Sequence, residues 1–150
     1  MDLNTKGRYA VMAMVDLAQH GASGSVPLTE IADRQQISLA YLEQIFQKLR
    51  RAGVVESARG RLGGYRLARG TEAIFVGEIM AAVEEPVDMT RCHRQTAHGC
   101  VAGDRCKTHF LWDALSTHIE EFLGRVSLED IVEGRLAVRP ALKSVEAAAE

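Results

Sequence analysis

The stretch "ISLAYLEQIFQKLRRAGVVESARGRLGGYRLAR", residues 37–69, contains two hydrophobic periods in succession. In its first half Leu42, Ile45, Phe46 and Leu49 recur at i, i+3, i+4 and i+7, the spacing of a helix with one buried stripe. Ser38 stands just ahead of the run, where a hydroxyl accepts from an otherwise unpaired backbone N–H, and Gly53 stops it. In the second half Val54 and Val55 open a short strand, and Tyr65 and Leu67 alternate with Arg66 and Ala68 in another. Gly60, Gly63 and Gly64 lie between them, so this half reads as a hairpin with a basic tip.

Working outward, "LTEIADRQQI" (28–37) reads as a shorter helix with Leu28, Ile31 and Ala32 on one face. About three residues, Gln36 to Ser38, join it to the next helix, which is the layout of a helix-turn-helix. With the hairpin behind it, the unit is a winged helix. Residues 5–20 form an earlier helix: Thr5 can cap it, Tyr9, Ala13 and Leu17 make its stripe, and Gly21 ends it. "GASGSVP" (21–27) is a loop. Downstream, "FVGEIMAAVEEP" (75–86) is a helix stopped by Pro86. "THFLWDALSTHIEEFLG" (108–124) is a longer one with Leu111, Leu115, Ile119 and Phe122 in one stripe and Trp112 beside it. Ser127 with Asp130 resembles a capping box for a last short helix, and from about 136 onward no pattern remains. The expected fold is mainly α with a small β-hairpin wing, a winged helix-turn-helix followed by a long C-terminal helix.

The 150-residue length bounds the chain to one domain, or one with an appended element. No run of about 18 apolar residues occurs, and the N-terminus lacks a signal peptide's layout, so a cytoplasmic protein with no membrane partner is expected. The net charge of −2 hides an uneven distribution. Residues 34–69 carry Arg34, Lys48, Arg50, Arg51, Arg59, Arg61, Arg66 and Arg69 against only Glu43 and Glu56, which is +6 within a remainder of −8. Such a block suggests a local polyanion-binding surface, such as one for a nucleic acid's phosphates, and with the helix-turn-helix and wing the expected partner is double-stranded DNA; the bland alternative is a solvated charged face.

With its stripe turned inward, the helix at 38–51 leaves Ser38, Tyr41, Glu43, Gln44, Gln47, Lys48 and Arg51 outward. Gln44 can bond adenine in a bidentate way and Glu43 can accept from a cytosine amino group, unless Glu43 is one charge on a solvated face. Arg59 or Arg61 can enter a minor groove or rest on phosphate. "RGRLGGYR" (59–66) lacks the GK[ST] ending of a phosphate-cradling loop and lies between strands.

All three cysteines, Cys92, Cys100 and Cys106, fall in "CHRQTAHGCVAGDRCKTHF" (92–110), and His109 completes a C-x7-C-x5-C-x2-H spacing. An odd count in a cytosolic chain argues against a disulfide framework. Three thiolates and an imidazole are a full ligand set for zinc or for an iron–sulfur cluster. Structural zinc sites usually include a short C-x2–4-C pair, absent here, and a loop with Gly99 and Gly103 wraps a cluster more readily. Metal-free thiols and a thiol redox switch are the other readings. A thiol oxidoreductase lacks support, since no CxxC pair and no marked substrate pocket are present.

The segments "RYAVMAMVDLA" (8–18), residues 37–69 and "GDRCKTHFLWDALSTHIEEFL" (103–123) resemble the IscR-type iron–sulfur transcription regulators, a bacterial family that also includes NsrR- and RirA-type sensors. The resemblance spans about residues 1–134. It implies a homodimer formed through the C-terminal helix (Leu111, Leu115, Ile119, Phe122), a cluster loop, and control of iron–sulfur assembly or related stress genes. The C-x2-H ending resembles the subgroup holding a [2Fe–2S] cluster, which maps the ligands onto Cys92, Cys100, Cys106 and His109. The N-terminal aspartate that NsrR-type sensors use corresponds to Arg8 here, against that subgroup. One departure is the seven-residue gap from Cys92 to Cys100, where the family usually has five; it contains His93 and His98, which compete for the fourth ligand place. The implied division is a DNA-binding domain at 1–85, a cluster loop at 86–109, dimerisation and terminal helices at 110–134, and a disordered tail at 135–150.

Overall fold

The computed structural model describes residues 5–60, 63–85, 87–90 and 104–136. The helix α1 (Thr5–His20) is the element around which the others pack. Ala10, Ala13, Met14 and Leu17 are fully buried on its inner side. Thr5 stands within this helix rather than at a cap position. Gly7 lets α1 approach the following layers closely, since a Cβ there would lie 2.6 Å from the Met80 sulfur.

A short 3-10 turn (Gly21–Ser23) leads to α2 (Leu28–Gln35) and then α3 (Leu39–Arg51). The connection is the short turn that the sequence predicts. Gln36 adopts φ 53 and its N–H donates to the Ala32 carbonyl, closing α2 with a left-handed residue. Ser38 then caps α3, its Oγ accepting from the Tyr41 N–H at 3.3 Å. Leu42, Ile45, Phe46 and Leu49 are buried to 1 % exposure or less. Each such side chain contributes about 1.5–3 kcal/mol by leaving water, so this stripe is the main force holding α3 on the domain.

The chain next forms β1 (Val55–Ala58) and β2 (Gly64–Leu67), paired antiparallel with Glu56 opposite Arg66. The second strand is anchored on its outer edge by a further bridge: Val26 N–H donates to the Tyr65 carbonyl at 2.8 Å, and Tyr65 N–H donates back at 2.9 Å. Gly64 is required here, because a Cβ would sit 2.4 Å from the Val26 carbonyl oxygen. The Tyr65 ring packs edge-on to Phe46 with centroids 4.9 Å apart, joining the hairpin to α3.

A 3-10 turn (Thr71–Ala73) precedes α4 (Val76–Ala82). This helix ends at Ala82, earlier than the proline-based expectation, because Glu84 turns left-handed at φ 59. Then come α5 (His109–Leu123) and α6 (Leu128–Val132). The predicted capping box starts α6: Ser127 Oγ accepts from Asp130 N–H at 3.1 Å, and Asp130 accepts from Ser127 N–H at 3.0 Å. Leu128 is fully buried in the same core as α1, and its N–H donates to the Ile74 carbonyl at 2.9 Å. The chain thus returns to the winged domain after α5. No helix among the described residues is long and apolar enough to cross a membrane.

Candidate functional site

Two features carry chemistry: the outer surface of α3 with the wing, and the foot of α5. On α3 the exposed residues Ser38, Glu43, Gln44, Gln47 and Arg51 lie opposite the buried stripe, as a 3.6-residue period requires. Tyr41 departs from the outward reading: it is half-buried, and its ring meets Tyr9 edge-on at 6.0 Å, bracing α3 against α1. Arg59 is exposed at the start of the hairpin turn. Arg61 lies outside the described residues.

The basic block is less uniform than its charge sum. Arg34 does not face outward to a polyanion. Its Nε and Nη2 donate to the Asp16 carboxylate at 3.1 and 2.7 Å, and Nη1 donates to Glu30 at 3.2 Å. Asp16 is 1 % exposed and also accepts from Gln35 Nε2 at 2.7 Å. Burial by itself would raise its pKa; the hydrogen bonds from Arg34 and Gln35 and the guanidinium charge outweigh it and hold the carboxyl below its ordinary value. Arg66 pairs with Glu56 across the hairpin at 2.7 Å, Arg69 with Glu78, and Lys48 with Glu84. Among the described residues Arg50, Arg51 and Arg59 form no ion pair in direct contact and stand exposed, although the Arg51 charge also acts on Glu84. The positive surface available to phosphate is therefore narrower than the sequence block, and concentrated at the C-terminal end of α3 and on the wing.

At the other feature, Cys106 lies just before α5 and His109 is its first residue. His109 N–H donates to the Cys106 carbonyl at 3.0 Å, and the two side chains are one turn apart. Cys106 Sγ lies 3.4 Å from Thr108 Oγ1. His109 is buried at 6 % exposure with its ring edge-on to Phe110, which fixes its direction. The donor set thus fits a thiolate- and imidazole-bound cluster at these two positions. Cys92, Cys100, His93 and His98 lie outside the described residues, and the described residues alone form no group of three metal-binding side chains.

Along α5 the apolar stripe is not absorbed by the chain's own domain. Leu111 is 61 % exposed and Phe122 59 %, while Leu115 and Ile119 are half-buried. Phe110 and Trp112 extend the exposed patch.

A family model described as "Rrf2: Iron-dependent Transcriptional regulator" matches residues 3–134. The chain belongs to the Rrf2 family. Among curated Rrf2-like relatives, it is 54 % identical over 135 residues to the HTH-type transcriptional regulator IscR of Xenorhabdus nematophila, covering 90 % of this chain and 81 % of the relative. It is 55 % identical to a putative HTH-type transcriptional regulator, ORF2, of Azotobacter vinelandii, covering 88 % and 79 %. Solved structures agree. T. potens IscR superposes with a TM-score of 0.72 at 37 % identity, covering 95 % of this chain and 94 % of that one. CymR, the global cysteine regulator of B. subtilis, superposes with a TM-score of 0.73 at 32 % identity, covering 89 % and 98 %. This Rrf2 protein is accordingly an IscR-type transcriptional regulator with a winged-helix fold.

Sequence reasoning counted Arg50 in the basic block but did not place it on the exposed surface beside Arg51, and it missed Asp16 as the anchor of α2. The second carried a signal: Asp16 is a lone acid within an apolar helical run.

Proposed function

We propose that this Rrf2 protein is a homodimeric regulator that reads duplex DNA and senses iron–sulfur, iron or redox status through a [2Fe–2S] cluster. Cys92, Cys100, Cys106 and His109 would hold the cluster, which supplies one-electron redox chemistry when bound. Control of iron–sulfur assembly or related stress genes follows from the IscR resemblance. The observation that carries the DNA part is the outward surface of α3, with Glu43 and Gln44 toward base edges and Arg51 toward phosphate, flanked by Arg59 on the wing. Ser38 and Tyr41 flank the base-facing end, Lys48 adds a phosphate contact, and Arg61 shares the wing's role.

The exposed stripe Leu111, Leu115, Ile119 and Phe122 supports pairing of two copies about a two-fold axis. Two recognition helices would then enter successive major grooves about 34 Å apart. His109 and Cys106, fixed at the start of that same helix, tie the ligand end of the loop to the pairing element. In vitro selection from a random duplex pool tests the DNA reading. A partly palindromic consensus with half-sites about one helical turn apart is expected. A single asymmetric site, or no enrichment, would contradict it.

A further inference from the structure

We propose that Glu84 competes with DNA phosphate for Lys48, and so couples the recognition helix to the segment that leads into the cysteine loop. The inference rests on the DNA-binding reading above. Glu84 sits two residues beyond α4 in a left-handed conformation, φ 59, that residues with a β-carbon adopt only under constraint. Its N–H donates to the Ala81 carbonyl at 3.0 Å, and the Glu85 N–H donates to Met80 at 3.1 Å. Two ion pairs hold this turn. Glu84 takes Lys48 of α3, and Glu85 takes Lys6 of α1 at 2.8 Å. The Glu84 carboxyl lies below its ordinary pKa, first because Lys48 hydrogen-bonds to it.

Lys48 stands one turn from Gln44 and from Arg51, on the rim of the surface read as facing DNA. In the free chain its ammonium is drawn to the exposed Glu84 carboxylate rather than left in solvent. A phosphate arriving at this rim must take Lys48 from Glu84, and Glu84 then loses its side-chain contact to α3. The same strand of chain continues to Met89, whose N–H donates to Ser116 Oγ of α5 at 2.9 Å, and to the buried Thr90. Lys48, Glu84 and residues 87–90 thus link the DNA face of α3 to α5. Whatever alters the seating of this segment alters the availability of Lys48 by the same factor in reverse, as linkage demands.

The test is a double-mutant cycle with Glu84→Gln and Lys48→Gln, read as the affinity of the full chain for a random-sequence 30-base-pair duplex at low and moderate salt. Glu84→Gln should tighten binding roughly two- to fivefold, the range of an exposed ion pair, when Lys48 is present. It should have no effect in the Lys48→Gln background. Equal tightening in both backgrounds would reduce Glu84 to one repelling charge and overturn the proposal alone. A wild-type chain that does not bind the duplex overturns the DNA reading, and this proposal with it. Amide exchange gives the second arm. Protection at Glu84 and Glu85 should fall when duplex is added to wild type and stay constant in Lys48→Gln; unchanged protection in wild type would overturn the coupling.

Discussion

Replacing Arg34 by alanine should destabilise the protein more than replacing its partner Asp16, although both substitutions remove the same ion pair. The asymmetry comes from burial. Asp16 is 1 % exposed, whereas the Arg34 side chain is 31 % exposed and has Glu30 as a second partner. In Asp16→Ala the guanidinium keeps water and Glu30, so the loss is limited to the charge-assisted hydrogen bonds, about 2–3 kcal/mol. In Arg34→Ala a carboxylate is left inside the protein with only the Gln35 amide donor and His20 nearby, and removing one partner of a buried pair costs about 3–5 kcal/mol. Wild type and Arg34→Ala also respond oppositely to acid. In wild type the Asp16 carboxyl lies below its ordinary value, so the pair's contribution is complete above the unfolded pKa, about 3.9, and is lost as pH falls through the folded value. In Arg34→Ala burial dominates and raises that pKa, so protonation relieves the penalty as pH falls. The gap between wild type and Arg34→Ala should therefore narrow from pH 7 to pH 4. Urea unfolding followed by circular dichroism at several pH values measures it. A gap that is constant or widens toward pH 4, or an Asp16→Ala cost exceeding that of Arg34→Ala, would refute the reasoning.

Other outcomes follow from the same geometry. Gly64→Ala should cost about 1–3 kcal/mol and loosen the wing, because the new methyl meets the Val26 carbonyl; an unchanged melting temperature would mean the bridge yields freely. Ser38→Ala should cost about 0.5–1 kcal/mol, at the modest end for a cap since its hydrogen bond is 3.3 Å, as read by denaturant midpoint; no change would show that the cap is dispensable. Arg59→Ala should lower the slope of log affinity against log salt by about one, and an unchanged slope would remove Arg59 from the phosphate contacts. Leu111→Glu should weaken the proposed dimer by about two orders of magnitude in Kd in sedimentation, and an unaffected association state would move the proposed interface away from α5.

The elements of the winged domain were legible wherever one face is buried. The period of Leu42, Ile45, Phe46 and Leu49 gave α3, and the change of period at Val54 gave the hairpin, because burial imposes those spacings. The short capping signals Ser38 and Ser127 were legible for the same reason: each acts on its own neighbours within three residues. What was not legible depends on partners far away in sequence. Arg34, Lys48, Arg66 and Arg69 counted as free positive charge until their carboxylates, as distant as 36 residues for Lys48, came beside them. The end of α4 was placed at Pro86 because proline is the visible breaker, whereas the left-handed Glu84 ends it first. Tyr41 looked outward by helical phase but leans onto Tyr9 of a neighbouring helix. At the proposed ligand site, the C-x2-H spacing and the family resemblance pointed to Cys106 and His109, and the start of α5 holds those two positions one turn apart.

The most direct test of the central claim is the ultraviolet–visible spectrum of protein purified without oxygen, with iron and acid-labile sulfide assayed on the same sample, beside Cys106→Ala. The account predicts visible absorption bands with iron and sulfide in about equal amounts in wild type, and their loss in the variant. A protein that remains colourless after reconstitution, or a Cys106→Ala spectrum identical to wild type, would contradict it.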